Sequence, residues 1–318
     1  MTIRIARTAL GAALALALGS SAFAAPAELG IMAPAAPGGG YDQTARAMQV
    51  ALQEAKILPN VQVTNVPGAG GAVGLAQFVN ASKGDPTKLI VGGYVLVGAL
   101  AANPSPVSLK DVTPIARLTG EADAIVVPKD SPIKSLKDLI DKLKADPGSV
   151  SWAGGSAGGV DHIAVGLIAK AAGVDPTKIN YVAFAGGGEA LAAILGGKVT
   201  AGISGVSEFD PQVKAGALRL LAVTGGASAA DRPTLKDQGV NVDVLNWRMV
   251  AAPPGLSAEQ TADTVKTIET MVKSDAWKKQ LAAKGWADTY LAGDAFKTYL
   301  TEQVAATTAV LKELGIAK

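Results

Sequence analysis

Two α/β lobes facing one cleft, each a mainly parallel sheet flanked by helices, are the fold class this sequence predicts, on three observations. Strand-like apolar runs alternate with helix-spaced segments from residue 29 to residue 223, the pattern of parallel strands joined by helical crossovers. Four glycine-rich turns, at 37–42, 67–71, 154–159 and 185–189, stand where a strand hands over to a helix. Such turns leave backbone N–H groups bare at helix starts, where the helix dipole also favours negative charge. Two of them fall in the first third and two in the middle, one pair for each lobe. Lastly, a strand-like run at 242–251, followed only by helical segments, returns the chain to its first lobe.

The elements follow in order. Residues 1–24 read as a cleavable secretory signal: Arg4 and Arg7, an apolar run at 9–18, then the small-x-small triplet Ala22-Phe23-Ala24. The apolar run is too short for the roughly 20 residues of a spanning helix. Residues 29–33 form a strand, and after the first turn Ala45, Met48, Leu52 and Ala55 keep helical spacing, with Asp42 as cap. Strand 61–66, helix 72–80 and strand 88–92 continue the alternation. Two strands, 115–118 and 124–127, precede a proline turn at 128–132 that takes the chain out of the first lobe. The second lobe opens with helix 135–145, where Ser135 and Asp138 occupy capping-box positions. Strands at 150–152, 179–184, 200–204 and 219–223 alternate with helices at 160–172, 190–195 and 208–215. Beyond a polar connection at 231–239 and the return strand, helices are expected at 258–273, 276–284 and 294–314, the last with Phe296, Leu300, Val304, Thr307 and Leu311 on one face. The resulting division is lobe 1 over 25–127, lobe 2 over 128–244, and a return strand with C-terminal helices over 245–318 packing on lobe 1.

Composition narrows the function. The formal charge of +2 includes the two signal arginines, so the mature chain is close to neutral. With no run of like charge and 4% aromatic residues, a nucleic-acid groove has little to be built from. The absence of cysteine removes both disulfides and a lipid-bearing cysteine, pointing to a periplasmic protein without a lipid anchor.

Enzyme chemistry is thinly represented. Gly68 and Gly70 are followed by Val73 where a dinucleotide fingerprint needs Gly or Ala, and Gly197-Lys198 lacks the remainder of an ATPase phosphate loop. Gly154-Gly155-Ser156-Ala157-Gly158 fits G-x-S-x-G between strand and helix, so an exported serine hydrolase using Ser156 is the enzyme alternative. The sole histidine, His162, sits six residues later, where it would not face the serine, and reads as a helix-start cap. One His and no Cys leave no metal site, and no cofactor is expected. Arg46 and Arg248 read first as partners of surface ion pairs or crossing-strand packing and second as added charge for the site, Trp152 and Trp247 as core, and Glu189 first as a cap for its own helix and second as a receiver for an ammonium group. The four turns, with Tyr41, Ser156, Ser204 and Ser207 nearby, are left as a frame for a small anionic ligand.

At Pro37-Gly38-Gly39-Gly40-Tyr41-Asp42, Asn65-Val66-Pro67-Gly68-Ala69-Gly70-Gly71, Gly158-Gly159-Val160-Asp161-His162, Gly186-Gly187-Gly188-Glu189-Ala190-Leu191 and Lys214-Ala215-Gly216-Ala217-Leu218-Arg219 the chain resembles the extracytoplasmic receptors of tripartite tricarboxylate transporters, the Bug or TctC family. The resemblance runs through the whole mature chain. It implies a Venus-flytrap periplasmic-binding-protein fold whose lobes close on a small di- or tricarboxylate and pass it to a large and a small membrane subunit; signalling of the liganded form to a membrane sensor kinase is a separate reading that the sequence does not distinguish from uptake. By position it implies ligand contacts at Gly39, Gly40, Tyr41 and Asp42 in the first loop, Ala69, Gly70 and Gly71 in the second, and Ser156, Gly158, Gly187 and Ser207 from the other lobe. The triple-glycine first loop is similar to that of the tricarboxylate-binding branch, which favours citrate or a related acid and leaves C4 dicarboxylates and aromatic carboxylates open; Val66 stands where relatives commonly carry Arg.

Overall fold

The computed structural model describes residues 28–225 and 232–317; the expected signal at 1–24 and Asp231 lie outside them. In the first lobe β1 (Glu28–Ala33), α1 (Gly40–Glu54), β2 (Asn60–Asn65), α2 (Ala72–Ala81), β3 (Lys88–Gly93), α3 (Tyr94–Ala102) and β4 (Thr113–Glu121) follow one another. The second comprises β5 (Asp123–Pro128), α4 (Leu136–Ala145), β6 (Ser151–Gly154), α5 (Val160–Ala171), β7 (Asn180–Ala183), α6 (Gly187–Leu195), β8 (Ala201–Gly205), α7 (Val206–Lys214) and β9 (Leu218–Val223). The chain then returns through β10 (Asn246–Ala252), α8 (Ala258–Lys273), α9 (Asp275–Lys284), β11 (Ala287–Ala292) and α10 (Gly293–Glu313).

The first sheet runs β11-β4-β10-β3-β1-β2 and the second β7-β6-β8-β5-β9. Within each, the strands that lead into cleft-facing helices pair in parallel: β1 with β2 and β3, and β6 with β7 and β8. The remaining pairs are antiparallel, so both sheets are mixed: β10 lies against β3 and β4, β11 against β4, and β5 against β8 and β9. A strand that enters from the other lobe arrives at the opposite end of the sheet, and its direction is reversed for that reason.

Two differences from the sequence reading bear on the site. The first crossing falls at Ala122, between β4 and β5, and not in the proline turn after Val127, because β5 already belongs to the second sheet. With one residue between them, the two strands look like neighbours in one sheet until their partners are known. β11 replaces part of what reads as a wholly helical C-terminus; it is a partly exposed edge strand, so no buried alternation marks it.

The larger core surrounds the first sheet and takes in Trp247, Met249 and Val250 of the return strand with Met271, Trp277, Phe296 and Leu300 of α8, α9 and α10. A second core packs Leu139, Trp152, Val165 and Ile203 around the other sheet. α10 also outreaches its lobe, since Leu311 and Leu314 bury against Ile163 of α5, forming a third tie between the lobes.

A buried clasp holds the crossing strands together. The Asp123 N–H donates to Thr224 Oγ1 at 2.9 Å, Thr224 Oγ1 donates to the Val244 carbonyl at 2.7 Å, and Asn246 Nδ2 donates to Asp123 Oδ1 at 3.0 Å. It fixes the outgoing strand beside the returning one and so sets where the lobes meet.

Candidate functional site

The cleft between the lobes is lined by Gly39, Gly40 and Tyr41 of the first turn, Gly68, Gly70 and Gly71 of the second, Gly155 and Ser156 of the third, and Ala185, Gly186 and Gly187 of the fourth. All four glycine turns therefore converge on one space. The helices that start there carry no side-chain cap from their N-cap glycines: Gly39 for α1, Gly71 for α2, Gly159 for α5 and Gly186 for α6. Of the helices that start elsewhere, α4, α8 and α9 are capped by Ser135, Ser257 and Ser274, and α10 has no side-chain cap. The first intrahelical bonds of α1, α5 and α6 come from Gln43, Ile163 and Ala190, which leaves the preceding N–H groups without helical partners. The capping box suggested at Ser135 and Asp138 is formed, with the reciprocal bonds at 3.0 and 3.1 Å.

Of the residues singled out from the sequence, Gly39, Gly40, Tyr41, Gly70, Gly71, Ser156 and Gly187 line the cleft. The other four take different positions. Asp42 faces inward and fastens its loop, accepting from the Gly38 N–H at 2.8 Å, Arg46 Nε at 2.9 Å and Asn65 Nδ2 at 2.9 Å. Burial works against its ionisation, but those donors outweigh it and hold the carboxyl below its ordinary range. Ala69 is exposed, with φ at 47° in the tight turn before α2. Gly158 packs against Gly98 of α3, where the backbones of the two lobes touch. Ser207 donates its N–H to Glu121 Oε2 at 3.0 Å and accepts from Trp286 Nε1 at 3.3 Å.

Tyr41 does more than line the wall. Its hydroxyl is buried and accepts the Leu96 N–H at 2.7 Å, capping α3, and burial raises its pKa. Tyr41→Phe is expected to cost about 1–3 kcal/mol, because an N–H would be left buried without an acceptor; urea unfolding with an unchanged m-value checks it.

His162 caps its own turn, as the sequence suggests: Nδ1 accepts the Gly158 N–H at 3.2 Å and the ring stacks on Tyr181 at 4.2 Å. Burial lowers its pKa to about 4. The ring is thus turned to Gly158 and Tyr181, not to Ser156, and the hydrolase alternative loses its base. Glu189 reaches back from the first turn of α6 to the loop before it, accepting the Ala185 N–H at 3.2 Å, and the helix's own N–H groups receive no side-chain cap.

The cleft floor carries a charged group whose place the sequence does not show. Arg248, read first as an ion-pair or crossing-strand residue and second as a charge for the site, is buried at the centre of the first sheet, packs across the strands and lines the cleft. Its Nη2 donates to Glu121 Oε1 at 2.7 Å and its Nη1 to the Asn246 carbonyl at 2.9 Å. Asp161, Ser204, Glu208 and Asn246 complete the floor and the second-lobe wall. Burial raises the pKa of Asp161 to about 6, although the Gly155 N–H donates to it at 2.7 Å, and burial beside Glu121 raises Glu208 to about 8.

Two lobes joined by crossing strands, with uncapped helix starts converging in the cleft, define a solute-binding protein of the periplasmic-binding-protein kind. The chain belongs to the tripartite tricarboxylate transporter receptor family: residues 44–316 match the family described as "Tripartite tricarboxylate transporter family receptor". It is 29% identical to a UPF0065 protein of the gbd 5′ region in Cupriavidus necator, over 99% of this chain and 98% of that one. A solved structure described as a periplasmic transporter superposes with a TM-score of 0.82 at 26% identity, over 92% of this chain and 99% of the other. The same fold is found in two Rhodopseudomonas palustris proteins, MatC with bound malate (TM-score 0.77, 21% identity, 90% of this chain and 99% of that one) and Rpa4515 with adipate (0.80, 22%, 92% and 99%). Among the described residues no helix is long and apolar enough to cross a membrane.

Proposed function

We propose that the protein is a periplasmic receptor that captures a small carboxylate by lobe closure and delivers it to the large and small membrane subunits of a tripartite transporter. The observation that carries this reading is the cleft bounded by uncapped helix starts from both lobes. Bare N–H groups at the positive ends of helices bind a carboxylate without a dedicated cation, and closure strengthens each bond by excluding water. Gly39, Gly40, Gly70 and Gly71 form the first-lobe part of that cradle, and Ser156 and Gly187 the second. Malate and adipate in proteins of the same fold are small dicarboxylates, which agrees with the reading. The triple-glycine loop makes citrate the first tricarboxylate to test.

A thermal-shift screen of citrate, malate, succinate, adipate, glutamate and nicotinate tests the proposal. A binding acid at one hundred times its dissociation constant should stabilise the protein by about 2.7 kcal/mol and raise Tm by several degrees. Silence from every carboxylate, with a shift from a sugar, would sink it.

A further inference from the structure

Beside Gly155 and Gly187, in the wall that faces the first-lobe glycine turns, the cleft presents hydrogen-bond acceptors. Asp161 from α5, Glu208 from α7 and Asn246 from β10 all line it. Asn246 is 3% exposed, and its amide nitrogen is committed to Asp123, so Oδ1 is turned away, buried and without a partner. Glu208 Oε2 is likewise shielded from solvent and unpartnered, beside the Ser204 hydroxyl. The one guanidinium on the floor, Arg248, already pairs with Glu121 and the Asn246 carbonyl. Four buried or partly buried acids, Glu121, Asp123, Asp161 and Glu208, thus surround a single arginine. A second ligand carboxylate placed here would meet unpartnered lone pairs with the one guanidinium already engaged, and would keep these acids from ionising, whereas an ammonium group has three protons for these acceptors.

On the carboxylate-receptor reading, on which this rests, we infer that the ligand is an amino-carboxylate, its carboxylate against the first-lobe glycine N–H groups and its ammonium group against Asn246 Oδ1, Asp161 and Glu208. The acids then need a cation to be ionised together. Glu208 faces Glu121 of β4, Arg248 of β10, Asp161 of α5 and the Ser204 hydroxyl of β8; Asp161 faces Gly155, Arg248, Glu121, Asp123 of β5, Tyr41 of α1 and Tyr181 of β7. Without ligand, Glu208 holds its proton up to about pH 8. An arriving ammonium favours the ionised carboxyl, so binding releases protons and affinity rises with pH up to that point. A purely anionic ligand favours the protonated carboxyl, and its affinity falls over the same interval.

The test is calorimetric titration of the purified protein with matched acids: aspartate against succinate, 4-aminobutyrate against glutarate, and citrate, at about pH 6 and about pH 8. At least one amino-carboxylate is expected to bind roughly 10-fold tighter than its dicarboxylate partner and to tighten further at the higher pH. Glu208→Gln should erase most of that preference, and Asp161→Asn serves as a second variant should the first unfold. Citrate or a dicarboxylate binding as tightly as every amino-carboxylate at both pH values would overturn the inference and leave the carboxylate receptor standing. So would a preference that ignores pH and survives both substitutions. Failure of every acid to bind would overturn the receptor reading together with it.

Discussion

Arg248→Met is expected to lower the unfolding free energy by about 3–5 kcal/mol, because it leaves the Glu121 carboxylate buried without its counter-charge. Both side chains of this pair are essentially inaccessible, at 3% and 0% exposure, and the bond between them is 2.7 Å long. Two further donations depend on it: Ser207 holds the other carboxylate oxygen with its N–H, and Arg248 binds the Asn246 carbonyl. The pair therefore joins both crossing strands to the start of α7 in the second lobe. The double variant Arg248→Met, Glu121→Gln should recover a substantial part of the loss, since it removes the unpaired charge along with the pair. Urea unfolding of the two variants and the parent checks this. Equal losses in single and double variants would mean that packing, not charge, gives the arginine its value.

The glycine turns, their flanking strands and helices, and the return strand were legible in the sequence because their signals are local: a turn residue, a cap, a period. The acid-lined wall was not. Asp161 and Glu208 fall in the first turns of α5 and α7, where an acid reads as a dipole partner for its helix. Only the three-dimensional arrangement, which sets both beside Arg248 and Asn246 of β10, shows that they line the cleft. Glu121 and Arg248 are separated by 127 positions, and each looks like an ordinary strand-end charge until antiparallel pairing brings β4 beside β10. The crossing at Ala122 was hidden for a related reason, since strand propensity says nothing about which sheet a strand joins. Asp42 shows the opposite case: the motif marks it as part of the site, and the structure assigns it to holding the loop that carries Gly39 and Gly40.

Gly98→Ala is expected to weaken ligand binding by roughly 5- to 150-fold while leaving every cleft-lining residue in place. A Cβ at this position would overlap the carbonyl oxygen of Gly158, and Gly158 is in turn confined by the Gly98 carbonyl and Ala102. Two glycines thus let the backbone of α3 in the first lobe touch the third turn of the second. Overpacking such a contact costs about 1–3 kcal/mol, and here the obstacle is backbone, which cannot rotate aside. If the contact forms as the lobes close, that cost falls on the closed form alone, and apparent affinity drops by the corresponding population factor. The unliganded protein would then melt near the parent temperature and show a larger radius of gyration in the presence of ligand than the parent does. Unchanged affinity with a lowered melting temperature would instead make the contact a permanent one, placing the hinge on the other side of α3.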